Sequence, residues 1–339
     1  MAATSPGQSN GAVAVIGAGS WGTALAVQFA RRGREVRIWG RDPEQLRAMV
    51  AKRCNERYLP DVPFPESLTA YPDLADCLRG VRDIVVAVPS HGLRETLMRI
   101  VPLIPADARV CWATKGFELH TGKLPHQVAA EVLGEGRAMA VLSGPTFAEE
   151  VGASLPTAMT IAANDAEFAG NLAVALSADN FRAYTSDDMI GVEVGGAVKN
   201  VLAIGAGMSD GLGFGANSRI ALITRGLVEM TRLGVALGAR RETFMGLAGM
   251  GDLVLTCTDN LSRNRRAGLA IARGRTVAEA QAEIQQVVEG VKAAEAVNEV
   301  AEKLGIEMPI CHQIYRILYE GAPPRAAVAT LMTRELKSE

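Results

Sequence analysis

The side chain best suited to chemistry in this sequence is that of Lys199, which stands beside Asn200 in a run of small and apolar residues. The run from 191 to 208 has the composition of a buried helix. Burial disfavours the charged form of a lysine, so its pKa falls and it can exchange protons near neutral pH. The alternative is that Lys199 reaches solvent or pairs with Glu193. Because its neighbours offer little polar surface, we expect Lys199 to act as a general acid and base.

A glycine-rich motif near the start of the chain indicates a dinucleotide site. Gly17, Gly19 and Gly22 form the pattern GxGxxG between a predicted strand over 12–16 and a predicted helix over 20–32. In such a turn the glycines allow a tight bend, a close approach of pyrophosphate and close packing of helix on strand. The N–H groups at the start of the helix then face the phosphates.

The residues after the second predicted strand bear on the choice of cofactor. An acidic residue usually ends this strand and binds a ribose 2′-hydroxyl. Here the strand over 35–39 is followed by Gly40, Arg41 and Asp42. Arg41 is suited to a 2′-phosphate and favours NADP(H), whereas Asp42 leaves NAD(H) open.

Further polar residues follow predicted strands, at the carboxyl edge where open α/β sheets bind ligands. Lys115 follows a strand over 109–113, and its ammonium group suits an anionic or carbonyl oxygen. The small residues of 143–146 follow the next strand and leave room for a ligand.

A glycine-rich loop over 246–252 ends in Asp252, and Thr256 follows it closely. The stretch 260–266 then supplies an N-capping Ser262, two amides and three arginines at the predicted start of a helix. Backbone donors, the helix dipole and guanidinium groups together suit a phosphate. A solvated cluster of surface charge is the alternative.

The pattern of apolar residues predicts two domains. Short apolar strands alternate with helices in the first half, which predicts a doubly wound α/β domain, and the second half is predicted to be almost entirely helical. We expect a disordered tail over 1–11, a Rossmann-like domain over 12–189 and an all-α substrate domain over 190–335. Thr276 is expected to cap one helix, and Pro309 to lie in the first turn of another.

Composition excludes several classes of protein. The net charge of −2 gives no reason to expect nucleic acid or an anionic membrane as a partner. Five cysteines without CxxC spacing and four histidines without ligand spacing predict neither a disulfide framework nor a metal site. The first residues lack a secretion signal, and apolar stretches are interrupted before the ~20 residues of a membrane span. We therefore expect a cytoplasmic protein.

Six motifs in this order resemble those of the NAD(P)-dependent glycerol-3-phosphate dehydrogenases of the bacterial type. The resemblance covers roughly residues 12–335. The motifs are GAGSWGTALA at 17–26, ATKGFE at 113–118, SGPTFAEE at 143–150, GGAVKNVLAIGAG at 195–207, GMGDLVLTCTDNLSRNRRAG at 249–268 and VVEG at 287–290.

The resemblance implies a Rossmann domain followed by an all-α domain similar to the C-terminal domain of 6-phosphogluconate dehydrogenase. It also implies reversible reduction of dihydroxyacetone phosphate to sn-glycerol 3-phosphate with NADPH or NADH, a supply of phospholipid precursor, and a homodimer. Lys199 would be the proton donor and acceptor, and Lys115 would contact both substrate and cofactor. The other implied substrate contacts are Gly144, Thr146, Asp252, Thr256, Ser262, Arg263 and Asn264. The other implied cofactor contacts are Gly17, Gly19, Ser20, Trp21, Gly22, Arg41, Ala148, Arg263, Val287 and Glu289.

Two other functions remain open at this point. The chain could be another dehydrogenase on the same two-domain plan, acting on a 3-hydroxy acid, although the stretch 260–266 suits a small phosphate better. It could also be a redox sensor that binds the dinucleotide without turnover. Lys199, Asp252 and Arg263 together argue against a sensor.

Overall fold

The computed structural model describes residues 11–333, and these form two compact units. One unit consists of residues 11–114 together with Pro125–Met189. The other consists of Lys115–Leu124 together with residues 190–333. The tail predicted over 1–11 lies, except for Gly11, outside the described residues, as do the last two residues of the predicted second domain.

The first unit is built on an eight-stranded sheet of order β10-β9-β8-β7-β6-β1-β2-β5, and a separate ribbon pairs β3 with β4. The strands are β1 Val13–Ile16, β2 Val36–Trp39, β3 Cys54–Asn55, β4 Leu59–Pro63, β5 Leu68–Ala70, β6 Asp83–Val86, β7 Arg109–Trp112, β8 Met139–Ser143, β9 Thr157–Ala163 and β10 Phe181–Ser186. Neighbouring strands of the large sheet are parallel except β8 and β9, which are antiparallel. The doubly wound α/β prediction is confirmed, with this one reversal added.

The pattern of apolar residues identified the central strands of the large sheet but not its two edge strands. β1 and β6 are buried along their whole length, as their continuous apolar sequences predict. The ribbon strands β3 and β4 were not predicted from the sequence, and neither were β5 and β10 of the large sheet. β5 has three residues, and β10 has polar, partly exposed residues, so neither has the apolar run on which the prediction relied.

Seven α-helices accompany this sheet within the described residues. They are α1 Ser20–Arg31, α2 Pro43–Lys52, α3 Leu74–Leu78, α4 Leu93–Ile100, α5 Pro125–Leu133, α6 Ala148–Gly152 and α7 Ala166–Leu176. α1 ends as predicted, because Gly33 follows it with a φ of 78° that favours glycine.

The second unit is helical, as predicted. Its helices are α8 Met189–Gly211, α9 Ala216–Ala236, α10 Asp252–Thr258, α11 Arg263–Ala272, α12 Val277–Ile284, α13 Glu289–Leu304, α14 Pro309–Tyr319 and α15 Pro324–Met332. Thr276 caps α12 in a reciprocal capping box with Glu279, and Pro309 opens α14. By length and composition α8 could cross a membrane, but 94% of its most apolar window is buried in the protein. Core packing therefore accounts for its apolar sequence.

The glycine-rich stretch 246–252, interpreted from the sequence as a loop, is instead a π-helical turn over Leu247–Gly251 that continues into α10. Its glycines allow close packing rather than loop flexibility. A Cβ on Gly249 would lie 2.3 Å from the carbonyl oxygen of Phe244, and one on Gly195 of α8 would lie 2.4 Å from that of Ala248. This close packing places the start of α10 against α8.

Residues 115–124 belong to the helical unit, not to the α/β domain that was predicted to contain them. Phe117 and Leu124 are buried in the core of the second unit, and this burial is the physical reason for the difference. Lys115 therefore shares a unit with Lys199.

Candidate active site

The ammonium group of Lys199 lies at the centre of a buried polar cluster in the helical unit. Lys199 is in the middle of α8, and its side chain is 9% exposed. Its Nζ donates a hydrogen bond to Oδ1 of Asp252 and another, of 3.1 Å, to Oγ1 of Thr256. The alternative pairing with Glu193 is not what the structure shows. α8 supplies the ammonium group, and α10 supplies both of its partners.

Asp252 binds two lysines at once. Its second oxygen, Oδ2, accepts a hydrogen bond of 2.8 Å from Nζ of Lys115. Burial alone would raise the pKa of the Asp252 carboxyl, but the two ammonium groups outweigh it and hold that pKa below its usual range. Asp252 is therefore an anion at neutral pH, with both oxygens engaged.

Burial lowers the pKa of Lys199 to about 7. The Asp252 carboxylate opposes this shift, and the positive charge of Lys115 adds to it. Near neutral pH both protonation states of Lys199 are populated. This is the condition that a general acid and base needs in order to give and take the same proton.

Thr256 is held by its own helix as well as by the lysine. Its hydroxyl donates to the backbone oxygen of Asp252, one turn earlier, at 2.6 Å. The hydroxyl oxygen then faces Nζ of Lys199 as an acceptor. Thr256 thus fixes the direction of the lysine from a second side.

Side chains at the start of α11 form a second polar group in the same unit. Ser262 caps the helix as predicted, since its Oγ accepts from the backbone N–H of Arg265 at 3.2 Å. Nδ2 of Asn264 donates to Oδ1 of Asn200 at 2.9 Å, and Oδ1 of Asn264 accepts from the backbone N–H of Gly290 at 2.9 Å. Asn264 therefore joins α11 to α8 beside Lys199, and also to α13.

The three arginines of this stretch are in different environments. Arg263 is half-buried and donates to Oε1 of Gln286 at 3.3 Å. Arg265 is buried and bonded to Asp210 and Asn260, while Arg266 is exposed. The buried carboxylate of Asp210 draws Arg265 into the protein, and no feature of the local sequence indicated that pairing.

Glu289 opens α13 and has a buried oxygen that is not used within the protein. Among the described residues, Oε2 of Glu289 has no hydrogen-bond partner. Burial raises its pKa to about 7, against the attraction of Arg263, Lys115 and Lys199. Val287, two residues earlier, is 44% exposed, whereas Val288 is buried in the core. Glu289 thus has an unused buried acceptor, and Val287 exposes apolar surface.

The glycine turn of the first unit fits a pyrophosphate. Gly17 follows β1 with a φ of 125°, and a Cβ there would lie 2.3 Å from the carbonyl oxygen of Ala87, after β6. A Cβ on Gly22 would lie 1.9 Å from the carbonyl oxygen of Gly17. By contrast, a Cβ on Gly19 would meet nothing within 4 Å. Gly17 and Gly22 are therefore required by the fold, and Gly19 leaves open space.

The start of α1 offers donors to a ligand in that space. Gly19 is the N-cap of α1 and has no side chain to bind the first N–H groups, so these point outward beside Ser20. The indole Nε1 of Trp21 is buried and has no hydrogen-bond partner within the described part of the chain. These uncompensated donors match the acceptor oxygens of a dinucleotide.

The residues after β2 leave little room for an acid that binds ribose. A Cβ on Gly40 would lie 2.8 Å from Cβ of Ala18. Oδ1 of Asp42 caps α2 by accepting from two backbone N–H groups, and its Oδ2 pairs with Arg57 at 3.3 Å. Arg41 is exposed, and within residues 11–333 its side chain makes no hydrogen bond or ion pair. The acid is therefore engaged and the guanidinium group of Arg41 is available.

The predicted residues at the end of β8 lie in the first unit. Gly144 has a φ of 151°, and a Cβ there would lie 2.9 Å from Cα of Met159 on β9. The hydroxyl of Thr146 donates to the backbone oxygen of Gly144 at 3.2 Å, and Ala148 begins α6. Ser143 is 2% exposed and has a buried Oγ without a partner among the described residues.

Comparison with known proteins gives a consistent result along the chain. Residues 12–169 match the family model described as NAD-dependent glycerol-3-phosphate dehydrogenase N-terminus, and residues 188–329 match the corresponding C-terminus. The chain is 56% identical over 331 residues to glycerol-3-phosphate dehydrogenase [NAD(P)+] of Klebsiella pneumoniae, covering 97% of this chain and 98% of that protein. The protein of that name from Tolumonas auensis is 54% identical over 329 residues, with the same coverage.

A solved structure agrees with the sequence relatives. The crystal structure of glycerol-3-phosphate dehydrogenase from Coxiella burnetii superposes with a TM-score of 0.93 at 50% identity. The match covers 96% of this chain and 99% of that one.

Proposed function

Because this chain belongs to the family of NAD-dependent glycerol-3-phosphate dehydrogenases, we propose that it interconverts dihydroxyacetone phosphate and sn-glycerol 3-phosphate with a nicotinamide cofactor. The observation that carries the proposal is the buried cluster of Lys199, Asp252, Lys115 and Thr256. Reduction of a ketone requires a proton donor at the carbonyl oxygen, and the pKa of Lys199 suits that role.

A bound nicotinamide supplies or accepts the hydride at C2 of the substrate. Lys199 donates a proton to the C2 oxygen during reduction and takes it back during oxidation. Its ammonium group also stabilises the negative charge that develops on that oxygen, an effect that is strong in a site with little water. Because Lys199 is about half protonated near pH 7, the same side chain can donate the proton in reduction and accept it in oxidation.

Asp252 and Thr256 orient Lys199 by accepting hydrogen bonds from its Nζ. Lys115, on the other oxygen of Asp252, contributes a second positive charge and contacts the substrate and the cofactor. The carboxylate holds the two like charges close to each other. Their mutual repulsion lowers the pKa of Lys199 and so favours release of its proton.

The start of α11 binds the phosphate end of the substrate through Ser262, Arg263 and Asn264. Uncompensated N–H groups at the helix start and a guanidinium group attract a phosphate. Arg263 also contacts the cofactor. Gly144 and Thr146 contribute further substrate contacts, as the family resemblance implies. Binding of the unreactive phosphate then serves to orient C2 for reaction.

The cofactor site consists of Gly17, Gly19, Ser20, Trp21 and Gly22 at the pyrophosphate, with Ala148, Val287 and Glu289 contacting the rest of the dinucleotide. Arg41 binds a 2′-phosphate, so NADP(H) is preferred over NAD(H). The engagement of Asp42 in capping α2 supports this preference, because it leaves that carboxylate less available to a ribose hydroxyl.

The protein works in the cytoplasm as a homodimer and supplies glycerophospholipid synthesis. The exposed side chains of Ile220, Val228 and Val235 on α9 give an apolar surface that a second copy would cover. The product of the reduction is the backbone on which glycerophospholipids are built.

The testing experiment is a spectrophotometric assay of NADPH oxidation with dihydroxyacetone phosphate, repeated with NADH. Turnover with the phosphorylated ketone and none with 3-hydroxy acids in the reverse assay supports the proposed reaction. Dinucleotide binding without turnover would contradict it and favour a sensor. Arg41→Gln should lower kcat/KM for NADPH and leave that for NADH nearly unchanged, and an unchanged NADPH value would remove Arg41 from the 2′-phosphate.

A further inference from the structure

A buried ion pair outside the reacting cluster joins α8 to α11. Nη2 of Arg265 donates to Oδ2 of Asp210 near the end of α8, and the two side chains are 9% and 12% exposed. Arg219 of α9 donates to the two oxygens of Asp210 at 3.0 and 2.9 Å. None of these residues has a role in the reaction derived above.

Arg265 also holds the segment that leads into α11. Its Nη1 donates to Oδ1 of Asn260, and its backbone N–H donates to Oγ of Ser262 at 3.2 Å. Arg265 therefore closes the stretch 260–265 by binding its first residue, and the residues proposed to bind phosphate lie between Asn260 and Arg265. The guanidinium fork is needed because two acceptors must be bound at once.

The backbones of α8 and α11 touch where Arg265 lies. A Cβ on Gly207 would lie 2.0 Å from the carbonyl oxygen of Arg265, and one on Gly268 would lie 2.0 Å from that of Ile204. Asn200 and Asn264 bond across the same junction at 2.9 Å. Helices in such close contact have little freedom to slide, so a displacement of one is passed to the other.

α8 carries both the reacting Lys199 and Asp210, the carboxylate that binds Arg265 of α11. Lys199 and Asp210 are eleven residues apart, about three helical turns, so they lie on nearly the same side of α8 roughly 16 Å apart. The helix thereby sets the distance between the ammonium group that protonates C2 and the carboxylate that holds Arg265.

We propose that Arg265, acting through Asp210 and Asn260, is a positioning residue that sets the place of the phosphate-binding start of α11 relative to Lys199. The inference rests on the proposed function, since it takes the substrate phosphate to lie at Ser262, Arg263 and Asn264. Arg265 does not itself touch the substrate. Its loss displaces the phosphate contacts and leaves the reacting cluster intact.

The test compares Arg265→Lys and Arg265→Met with matched changes at the exposed neighbour, Arg266→Lys and Arg266→Met. Lysine keeps the charge but cannot bind Asp210 and Asn260 together as a fork. We expect the KM for dihydroxyacetone phosphate to be lowest in the wild type, higher in Arg265→Lys and highest in Arg265→Met. The rise for Arg265→Met should be about tenfold or more, because small misplacements of binding groups are costly. The KM for NADPH should rise much less, because among the residues at the start of α11 only Arg263 is assigned to the cofactor, and the pH at which kcat is half-maximal should stay unchanged. All constants of the Arg266 variants should stay unchanged.

An unchanged KM for dihydroxyacetone phosphate in folded Arg265→Lys overturns the inference, as does an equal rise in the Arg266 variants. If Arg265→Met does not fold, Arg265→Lys decides alone. A rise of the KM for NADPH as large as that for dihydroxyacetone phosphate, together with a loss of kcat and a shifted pH profile, would show a merely structural role and also overturn it.

Arg263→Ala separates this inference from the proposed function. If Arg263→Ala raises the KM for dihydroxyacetone phosphate and Arg265→Lys does not, the phosphate site stands and the positioning role fails. If Arg263→Ala leaves that KM unchanged, the placement of the phosphate fails, and the inference fails with it.

Discussion

Lys115 and Lys199 bind opposite oxygens of one buried carboxylate, that of Asp252. The two lysines are 84 positions apart in the chain, and the carboxylate brings their like charges to one place. One of them, Lys199, has a pKa lowered to about 7 by burial, with Asp252 raising it and Lys115 lowering it further. The arrangement holds two ammonium groups on one buried carboxylate, as the proposed reaction requires of its proton donor and of a second cation.

Removal of the Lys199 ammonium group should abolish most of the proton transfer. We expect Lys199→Ala to lower kcat by roughly 10²–10⁴-fold, the usual size of a general acid–base contribution. NADPH affinity, measured by fluorescence titration, serves as the control and should be retained because the glycine turn belongs to the other unit. A variant with near-normal kcat would refute the role of Lys199.

The pH dependence of the two directions should be opposite. Reduction needs protonated Lys199, so its kcat should fall as the pH rises through about 7, while kcat for oxidation should rise over the same range. Asp252→Asn removes a charge that raises the pKa of Lys199, so the residual profile should move to lower pH. Lys115→Met removes a charge that lowers it, so that profile should move to higher pH. Identical profiles in all three proteins would show that Lys199 is not the titrating group.

Two glycines of the dinucleotide turn should respond differently to alanine. A Cβ on Gly19 meets no protein atom within 4 Å, so Gly19→Ala should keep the wild-type melting temperature yet weaken NADPH binding by occupying the space of the pyrophosphate. A Cβ on Gly22 would lie 1.9 Å from a carbonyl oxygen, so Gly22→Ala should lower the melting temperature as well. Thermal shift with and without NADPH distinguishes the two. Undiminished binding by Gly19→Ala would argue against a pyrophosphate at that point.

The contact between α8 and α11 should be intolerant of a single methyl group. Gly207→Ala places a Cβ 2.0 Å from the carbonyl oxygen of Arg265 and should lower the melting temperature of the protein. Gly170→Ala in α7 is the matched control, because a Cβ there meets nothing within 4 Å. Alanine is favoured over glycine inside a helix by about 1 kcal/mol, so the control should be slightly stabilised. Equal effects of the two changes would show that the α8–α11 contact is not tight.

A second buried carboxylate should make stability depend on pH. Glu229 of α9 is 3% exposed and accepts from the backbone N–H groups of Ile310 and Cys311 at 2.7 and 3.1 Å. Burial raises its pKa to about 7, so the folded protein binds a proton that the unfolded chain has released at that pH. The contribution of Glu229 to stability should therefore fall as the pH rises from about 4.5, the ordinary value, through about 7.

The matched change for that prediction is Glu229→Gln, which cannot titrate but leaves one backbone N–H without its acceptor at every pH. The melting temperature of the wild type minus that of Glu229→Gln should decrease between pH 5 and pH 8 on the order of a few degrees. A difference that is constant over this range would contradict the assigned pKa.

The sequence alone determined those features that depend on neighbours along the chain. Apolar runs indicated β1, β6 and α8, and the spacing of Gly17, Gly19 and Gly22 indicated the dinucleotide turn. Caps such as Thr276 and Pro309 were predictable because their bonds close within one helical turn. Lys199 stood out because a charge in an apolar run is unusual whatever its partner.

Only the tertiary structure decided the pairings between distant residues. It joined Lys115, Lys199 and Asp252, paired Arg265 with Asp210, and placed 115–124 in the helical unit. It also showed that the glycine-rich stretch 246–252 forms a π-helical turn that leads into α10 and packs against α8. Local patterns report propensity and burial, whereas the partner of a buried charge is set by which helices touch, and that depends on the packing of the whole unit.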